Sequence, residues 1–335
     1  MIESYPVSLE AEGRSGLHCR TNQMAKPFVR VVEVWVPSAD RTHLQLCDGM
    51  YGPLSDLRAA SVATQLALDE DLAGRAWAVR HPIVVKKLEC LNGARADAAK
   101  AAGLTCGVAL PVFVGELLTG VMVLFCGEPE PHVGAIEVWY NDPDKFNEMR
   151  LFGGYYGTAD MFELDSRYTR FPRGYGLPGR VWKTNMPAIA NDLSSFKSFL
   201  RWKEAVDIGL RLGFGIPYPP VSGQSWVMTF LSGRNTPIAR RVEIWVPDSQ
   251  NESLSFSSGH CDQDVDLATS YQSVRIRKDE GIIGHAWSSG APAAQECVVD
   301  DSDSSRMAAA AGLTSAVALP VMGADAPKAI AAWYR

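Results

Sequence analysis

Short apolar runs rich in β-branched and aromatic residues recur along the chain, separated by turn chemistry. VEVWVP from Val32, IEVWYN from Ile136 and VEIWVP from Val242 read as strands. Residues 106–126 are almost wholly apolar, but Pro111 and the Gly115-Glu116 pair divide them into two buried strands and a turn, not a membrane span. Between 131 and 236 the pattern is clearest. Residues 135–141 and 149–157 predict two strands, the second with a glycine interruption suited to a bulge. Residues 162–171 alternate over much of their length and predict a third, half-buried strand. A glycine-rich loop then turns into a short helix at Arg180–Lys183, and PAIAND is extended. Residues 194–210 predict a helix that Ser194 or Ser195 could cap and Gly209 could end. RLGFGIPY and SWVMTFLSG close the unit as a hairpin. The sum is α+β: a mostly antiparallel sheet with helices on one face.

This unit occurs three times. Trp35, Trp139 and Trp245 stand in the same strand motif, 104 and 106 residues apart. GRAW from Gly74, GRVW from Gly179 and GHAW from Gly284 repeat at 105 and 105, each followed by a proline (Pro82, Pro187, Pro292). GLTCGVALPV, GLRLGFGIPY and GLTSAVALPV begin at Gly103, Gly209 and Gly312. A period near 105 is the size of a small domain. The expected division is 24–130, 131–236 and 237–335, with residues 1–23 left over. Of these, Gly16–Arg20 is a candidate extra strand for the first copy.

The 335 residues carry a net charge of −6, with no basic footprint for nucleic acid. The amino terminus has acids and no apolar run, so a secretory signal is not expected. Seven widely spaced cysteines and no CxxC argue for free thiols in a reducing, cytoplasmic compartment and against a zinc site.

The middle copy resembles the GAF domain family, through FPRGYGLPGRVW at 171–182, PAIAND at 187–192, FLRWKEA at 199–205 and GLRLGFGIP at 209–217. The flanking copies keep the skeleton but drift, with Ala73 and Ile283 in the loop-proline position and His285 replacing the arginine. The resemblance implies three tandem GAF-like domains. Each would have a six-stranded antiparallel sheet, helices on one face, and a pocket on the other face closed by loops and a short helix. It also implies sensory or regulatory roles, with ligands that range from cyclic nucleotides, bilins and haem to small metabolites.

Most of those ligands find no match. DKFNE at 144–148 resembles the cyclic nucleotide signature by letter only. There is no Cys-His dipeptide for a bilin, and the middle copy offers only His132 as an axial haem ligand. No cofactor is specified. The candidate pocket of the middle copy is noncovalent, lined by Tyr155, Tyr168, Trp182, Phe196, Phe199, Arg201, Trp202 and Phe214. The alternative is that these rings fill the core. Arg95, Arg201 and Arg306 fall near one helix position and are candidates for pairing an anionic ligand group.

The connections at 127–134 and 232–240 are short and contain proline, so neither is a relay helix. They predict a rigid three-bead array, with strand pairing between neighbours an option. No catalytic or DNA-binding segment fits beside three copies. The expected protein is noncatalytic and sensory or regulatory, with a small-molecule ligand in the middle copy. The first alternative is a structural or dimerisation scaffold with filled pockets, whose partner is a second copy or another protein. The second is a thiol redox enzyme of the free methionine sulfoxide reductase type, built on Cys47, Cys90, Cys106 and Cys126. Neither nucleic acid nor membrane is an expected partner.

Overall fold

The computed structural model describes residues 27–127, 132–193, 200–233, 235–263, 265–296 and 302–335. The first repeat contributes β1 (Val29–Pro37), β2 (His43–Met50), β3 (Gln65–Ala67), β4 (Ile83–Val85), β5 (Cys106–Val114) and β6 (Leu117–Cys126). The second contributes β7 (Val133–Asn141), β8 (Glu148–Gly157), β9 (Phe171–Pro172), β10 (Ala188–Ala190), β11 (Leu210–Val221) and β12 (Gln224–Gly233). The third contributes β13 (Arg241–Pro247), β14 (Leu254–Cys261), β15 (Arg275–Ile276), β16 (Ala293–Gln295), β17 (Ala316–Met322) and β18 (Pro327–Tyr334). Each set forms one six-stranded sheet in the order 3-2-1-6-5-4 of its own strands. Every ladder is antiparallel, so the chain is α+β in three GAF-like units, as the resemblance implies.

One face of each sheet is covered by short helices of the same repeat. These are α1 (Ser55–Val62), α2 (Asp71–Val79) and α3 (Ala94–Ala101); α4 (Asp160–Tyr168), α5 (Gly176–Thr184) and α6 (Trp202–Asp207); and α7 (Leu267–Ser270), α8 (Gly281–Ser289) and α9 (Asp303–Ala310). The GRAW-type marker opens up at this level. A Cβ on Gly74, Gly179 or Gly284 would stand 2.2, 2.3 or 2.2 Å from a backbone oxygen of Ala67, Pro172 or Arg277. Only glycine lets α2, α5 and α8 lie that close to the preceding strand. Each of these helices ends on a residue in the left-handed region, Arg80, Asn185 or Gly290.

The opposite faces of the three sheets are also apolar, and they meet. Val32, Val108 and Leu124 of the first repeat, Ile136, Phe214 and Phe230 of the second, and Val242, Leu319 and Trp333 of the third belong to one continuous buried core. Phe214 stacks on Phe230 at 4.7 Å between centroids, and Trp333 lies 5.7 Å from each. One edge strand of each sheet packs on the next sheet in one cyclic sense: β4 on β8, β10 on β14, and β16 on β2. Thr119 Oγ1 donates to the Gly290 carbonyl at 2.7 Å, and the Pro292 ring sits over Gly120, closing the third repeat onto the first. The array is therefore a closed three-lobed ring, not a row of beads, because a heterologous contact repeated around a threefold axis closes on itself. The sheets stay separate and do not pair edge to edge.

Two expected elements change. Residues 162–171, expected as a strand, are mostly helix α4, because Phe162 and Ser166, four apart, are its buried positions. The helix expected at 194–210 is described only as α6, and its first residues, with Ser194 and Ser195, lie outside the described residues, as does the candidate strand at 16–20. No helix among the described residues is long and apolar enough to cross a membrane.

Candidate functional site

The helix-covered face of each sheet, opposite the one on which the family resemblance places a pocket, holds a buried carboxylate. Glu33, Glu137 and Glu243 stand at the same place in β1, β7 and β13, each fully buried. Each accepts a hydrogen bond from the indole two residues later, Trp35, Trp139 or Trp245, at 2.9, 3.0 and 2.9 Å. Side chains two apart on a strand share a face, which makes the pairing local. In all three lobes the register shifts just before the tryptophan, with the extra residue (Cys47, Phe152 or Ser257) on the adjoining strand.

A guanidinium completes each centre. Arg95 on α3 pairs with Glu33 and, at 2.6 Å, with Asp71. Arg201, just before α6, donates to both Glu137 oxygens at 2.7 and 3.0 Å. Its guanidinium lies 4.5 Å from the Phe162 ring centre and 5.3 Å from that of Trp139. In the third lobe the cation comes from the strand itself: Arg241 Nε donates to Glu243 at 2.5 Å. Hydroxyls take up remaining acceptor capacity. Tyr51 and Ser61 donate to Glu33 at 3.0 and 2.6 Å, Thr229 to Glu137 at 2.9 Å, and Tyr271 and Tyr334 to Glu243 at 2.8 and 3.3 Å.

The same architecture gives opposite electrostatic results. Burial pushes the Glu137 carboxyl up, but Arg201 with the Thr229 and Trp139 hydrogen bonds overcomes it and holds the group below the ordinary carboxylate range. Burial wins at Glu243, whose carboxyl lies above that range despite Arg241. For Glu137 the folded value is below the unfolded one. Its stabilisation is therefore complete above about pH 4.3 and is lost as pH falls through the folded value. The stability advantage of the natural protein over Glu137→Gln is expected to shrink between pH 7 and pH 3, read from urea midpoints. An advantage that stays constant or grows would contradict the depressed carboxyl.

The five candidate pocket residues whose side chains are described do not converge. Arg201 is committed to Glu137. Phe214 points to the central core, on the face opposite the helices. The cause is strand alternation: Gly213 and Gly215 occupy the helix side, where a Cβ on Gly215 would meet Val181 at 2.8 Å. Tyr155 lies at the junction of the first two lobes, where its hydroxyl meets His132 Nε2 at 2.8 Å and Thr105 Oγ1 at 3.3 Å. Tyr168 is 76% exposed. Trp182 is half-buried under the Arg173 guanidinium at 5.5 Å. Phe196, Phe199 and the Trp202 side chain lie outside the described residues.

Arg306 is not the counterpart of Arg95 and Arg201. It is exposed and pairs with Asp303, while Ser304, eight residues before Gly312 as Arg95 is before Gly103, is buried. Sequence reasoning passed over the three glutamates, though a carboxylate two residues before tryptophan in three otherwise apolar strands was visible. Among the described residues no group of three or more histidine, cysteine or acidic side chains is placed to hold a metal ion.

No family model and no curated protein matches the chain. Solved structures similar to it include free methionine-R-sulfoxide reductase from Neisseria meningitidis, at 18% identity over 29% of this chain and 52% of that one, TM-score 0.23. A GAF domain/HD domain protein from Geobacter sulfurreducens matches at 18% over 31% and 66%, TM-score 0.26. The GAF domain of an Acinetobacter phosphoenolpyruvate-protein phosphotransferase matches at 13% over 31% and 60%, TM-score 0.23. The match thus spans about half of the reductase. At these values the architecture rests on the sheet order itself.

Proposed function

We propose that this chain of three GAF-like domains is a noncatalytic regulatory protein of the cytoplasm, in which the ring serves as a rigid scaffold for a protein partner. The supporting observation is that both faces of every sheet are covered: the helix side by the chain's own carboxylate, guanidinium and indole, and the opposite face, where the resemblance places a pocket, by the core the three sheets share. A small molecule entering beneath the helices of the middle lobe would have to displace Arg201 from Glu137 and leave a buried charge unpaired, a large penalty.

The middle lobe also offers a surface for a partner. Met161, Leu164 and Tyr168 on α4 are 69%, 42% and 76% exposed, at spacings of three and four that put them on one helix face. Such a stripe is self-complementary about a twofold axis, so a second copy is the simplest partner. Met161→Glu with Leu164→Glu is expected to convert a dimer to a monomer in sedimentation velocity, with circular dichroism unchanged. A natural protein that is monomeric at high micromolar concentration would refute self-association through α4.

Thiol chemistry in the first lobe has less support. Cys106 and Cys126 are direct partners across β5 and β6, within bridging range. Burial raises both thiols, the reverse of what an attacking thiolate needs.

A further inference from the structure

Residues from the hairpins that join β5 to β6, β11 to β12 and β17 to β18 line one open cavity of about 410 Å³. That volume suits a small organic molecule. Much of the wall is apolar, from Pro111, Val112, Ile216, Pro217, Pro320 and Met322. Its polar groups are few. Arg80 and Glu116 pair with each other at 2.7 Å, Asn185 brings an amide, and Lys328 brings an amine. The Tyr218 hydroxyl is sealed within the wall and does not face the space.

A β-bulge brings Lys328 to this wall. In the first lobe Val112 pairs with Gly120 and Phe113 with Leu118, so Thr119 is the extra residue. In the third lobe Val321 pairs with Ala329 and Met322 with Pro327, so Lys328 is the extra residue at the same place. Thr119 uses its hydroxyl to close a junction, donating to the Gly290 carbonyl at 2.7 Å. Lys328 has no such role. It is half-buried, and it makes no hydrogen bond or ion pair with a described residue. Burial lowers its ammonium pKa, with no carboxylate near enough to offset the effect. A lysine placed this way gives up its proton more readily than an exposed one, and the free amine is a nucleophile.

We propose that Lys328 is a covalent ligand site, at which a small aldehyde with an apolar body, held in this cavity, condenses with the side-chain amine to form an imine. The ammonium first gives one proton to solvent. The Nζ lone pair then attacks the aldehyde carbon and an N–C bond forms. The carbonyl oxygen leaves as water with the two remaining amine protons, and a C=N bond is left. Nothing is oxidised or reduced. The apolar wall takes the body of the aldehyde, and the bulge holds the amine at its edge. The proposal does not depend on the scaffold reading, since no residue of the carboxylate centres or of α4 lines the cavity.

The test treats the full chain at neutral pH with limiting benzaldehyde and cyanoborohydride, which reduces each imine to a stable benzylamine. Peptide mass spectrometry then maps the labelled lysines. Lys328 is expected to label about tenfold faster than the fastest of the other lysines, and to saturate with benzaldehyde. Benzyl alcohol, of similar size and without a carbonyl, is expected to slow labelling at Lys328 severalfold and nowhere else. Both preferences are expected to vanish in urea. Lys328→Thr, which gives this bulge the residue found at its first-lobe counterpart, is expected to remove the fast, saturable phase and leave the slow labelling of the other lysines unchanged. Labelling of Lys328 no faster than that of the other lysines would overturn the proposal. So would fast labelling that benzyl alcohol leaves untouched, since the amine would then react without a ligand cavity. Both comparisons are made within the natural protein and decide the matter even if the variant misfolds.

Discussion

Residues 131–236 expressed as a single lobe will not behave as a folded monomer. In the ring, Ile136, Val138, Phe214, Ile216, Met228 and Phe230 of that lobe are all buried in the shared central core. Separation returns one whole face of the sheet to water. At about 1.5–3 kcal/mol per large apolar side chain, six of them amount to roughly 9–18 kcal/mol, an upper estimate because free strands still shade one another. That is as large as the whole stability of an ordinary domain, about 5–15 kcal/mol. The isolated lobe is expected to aggregate, or to assemble into trimers that rebuild the ring. The full chain, in contrast, should unfold in one transition, with intrinsic fluorescence and far-ultraviolet circular dichroism coinciding. A single lobe that is monomeric and gives a cooperative melt would show that the shared core is not needed for folding.

The sequence made the repeat visible because its markers are structural necessities. The glycine of the GRAW-type motif is fixed by a helix pressed onto a backbone oxygen. Alternation also made most strands legible. The same alternation, applied to GFGIP at 213–217, would have turned Phe214 away from the helices. The two glycines mark the side that a helix approaches, so the ring must lie on the other. The shared core could not be read at all. Two apolar faces per sheet are evident in runs such as 106–114, but what covers the second face is a question about packing between repeats some 100 residues apart. Helix α4 was hidden for a different reason. FELDSRY alternates by letter, yet its burial follows a spacing of four, and its exposed Met161, Leu164 and Tyr168 mask the amphipathic pattern.

The carboxylate centres set up the second large effect. Arg201→Met is expected to cost about 3–5 kcal/mol, because Glu137 would remain buried and charged without its cation. Glu137→Gln should cost less. The guanidinium would keep the Phe162 and Trp139 rings beside it, and the glutamine carbonyl can still accept from Trp139 and Thr229. The decisive measurement is the double variant, Glu137→Gln with Arg201→Met. Removing both charges leaves a neutral acceptor for the indole and hydroxyl and an unbranched apolar chain near the volume of the arginine stem. If the pair's main energetic feature is the penalty for breaking it, the double variant should recover most of what Arg201→Met loses. A coupling of about 2–3 kcal/mol would then appear in the urea-denaturation cycle. Additive losses, a coupling near zero, would mean that the two side chains stabilise the lobe independently and that their mutual attraction is not what holds the centre. The first outcome would favour a centre whose role is to fix one packing of the middle lobe and keep it closed to ligands. On that reading the carboxylate recurs in all three lobes because each helix-covered face needs a polar anchor that admits only one arrangement of its short helices, whether the cation comes from a helix, as Arg95 does, or from the strand, as Arg241 does.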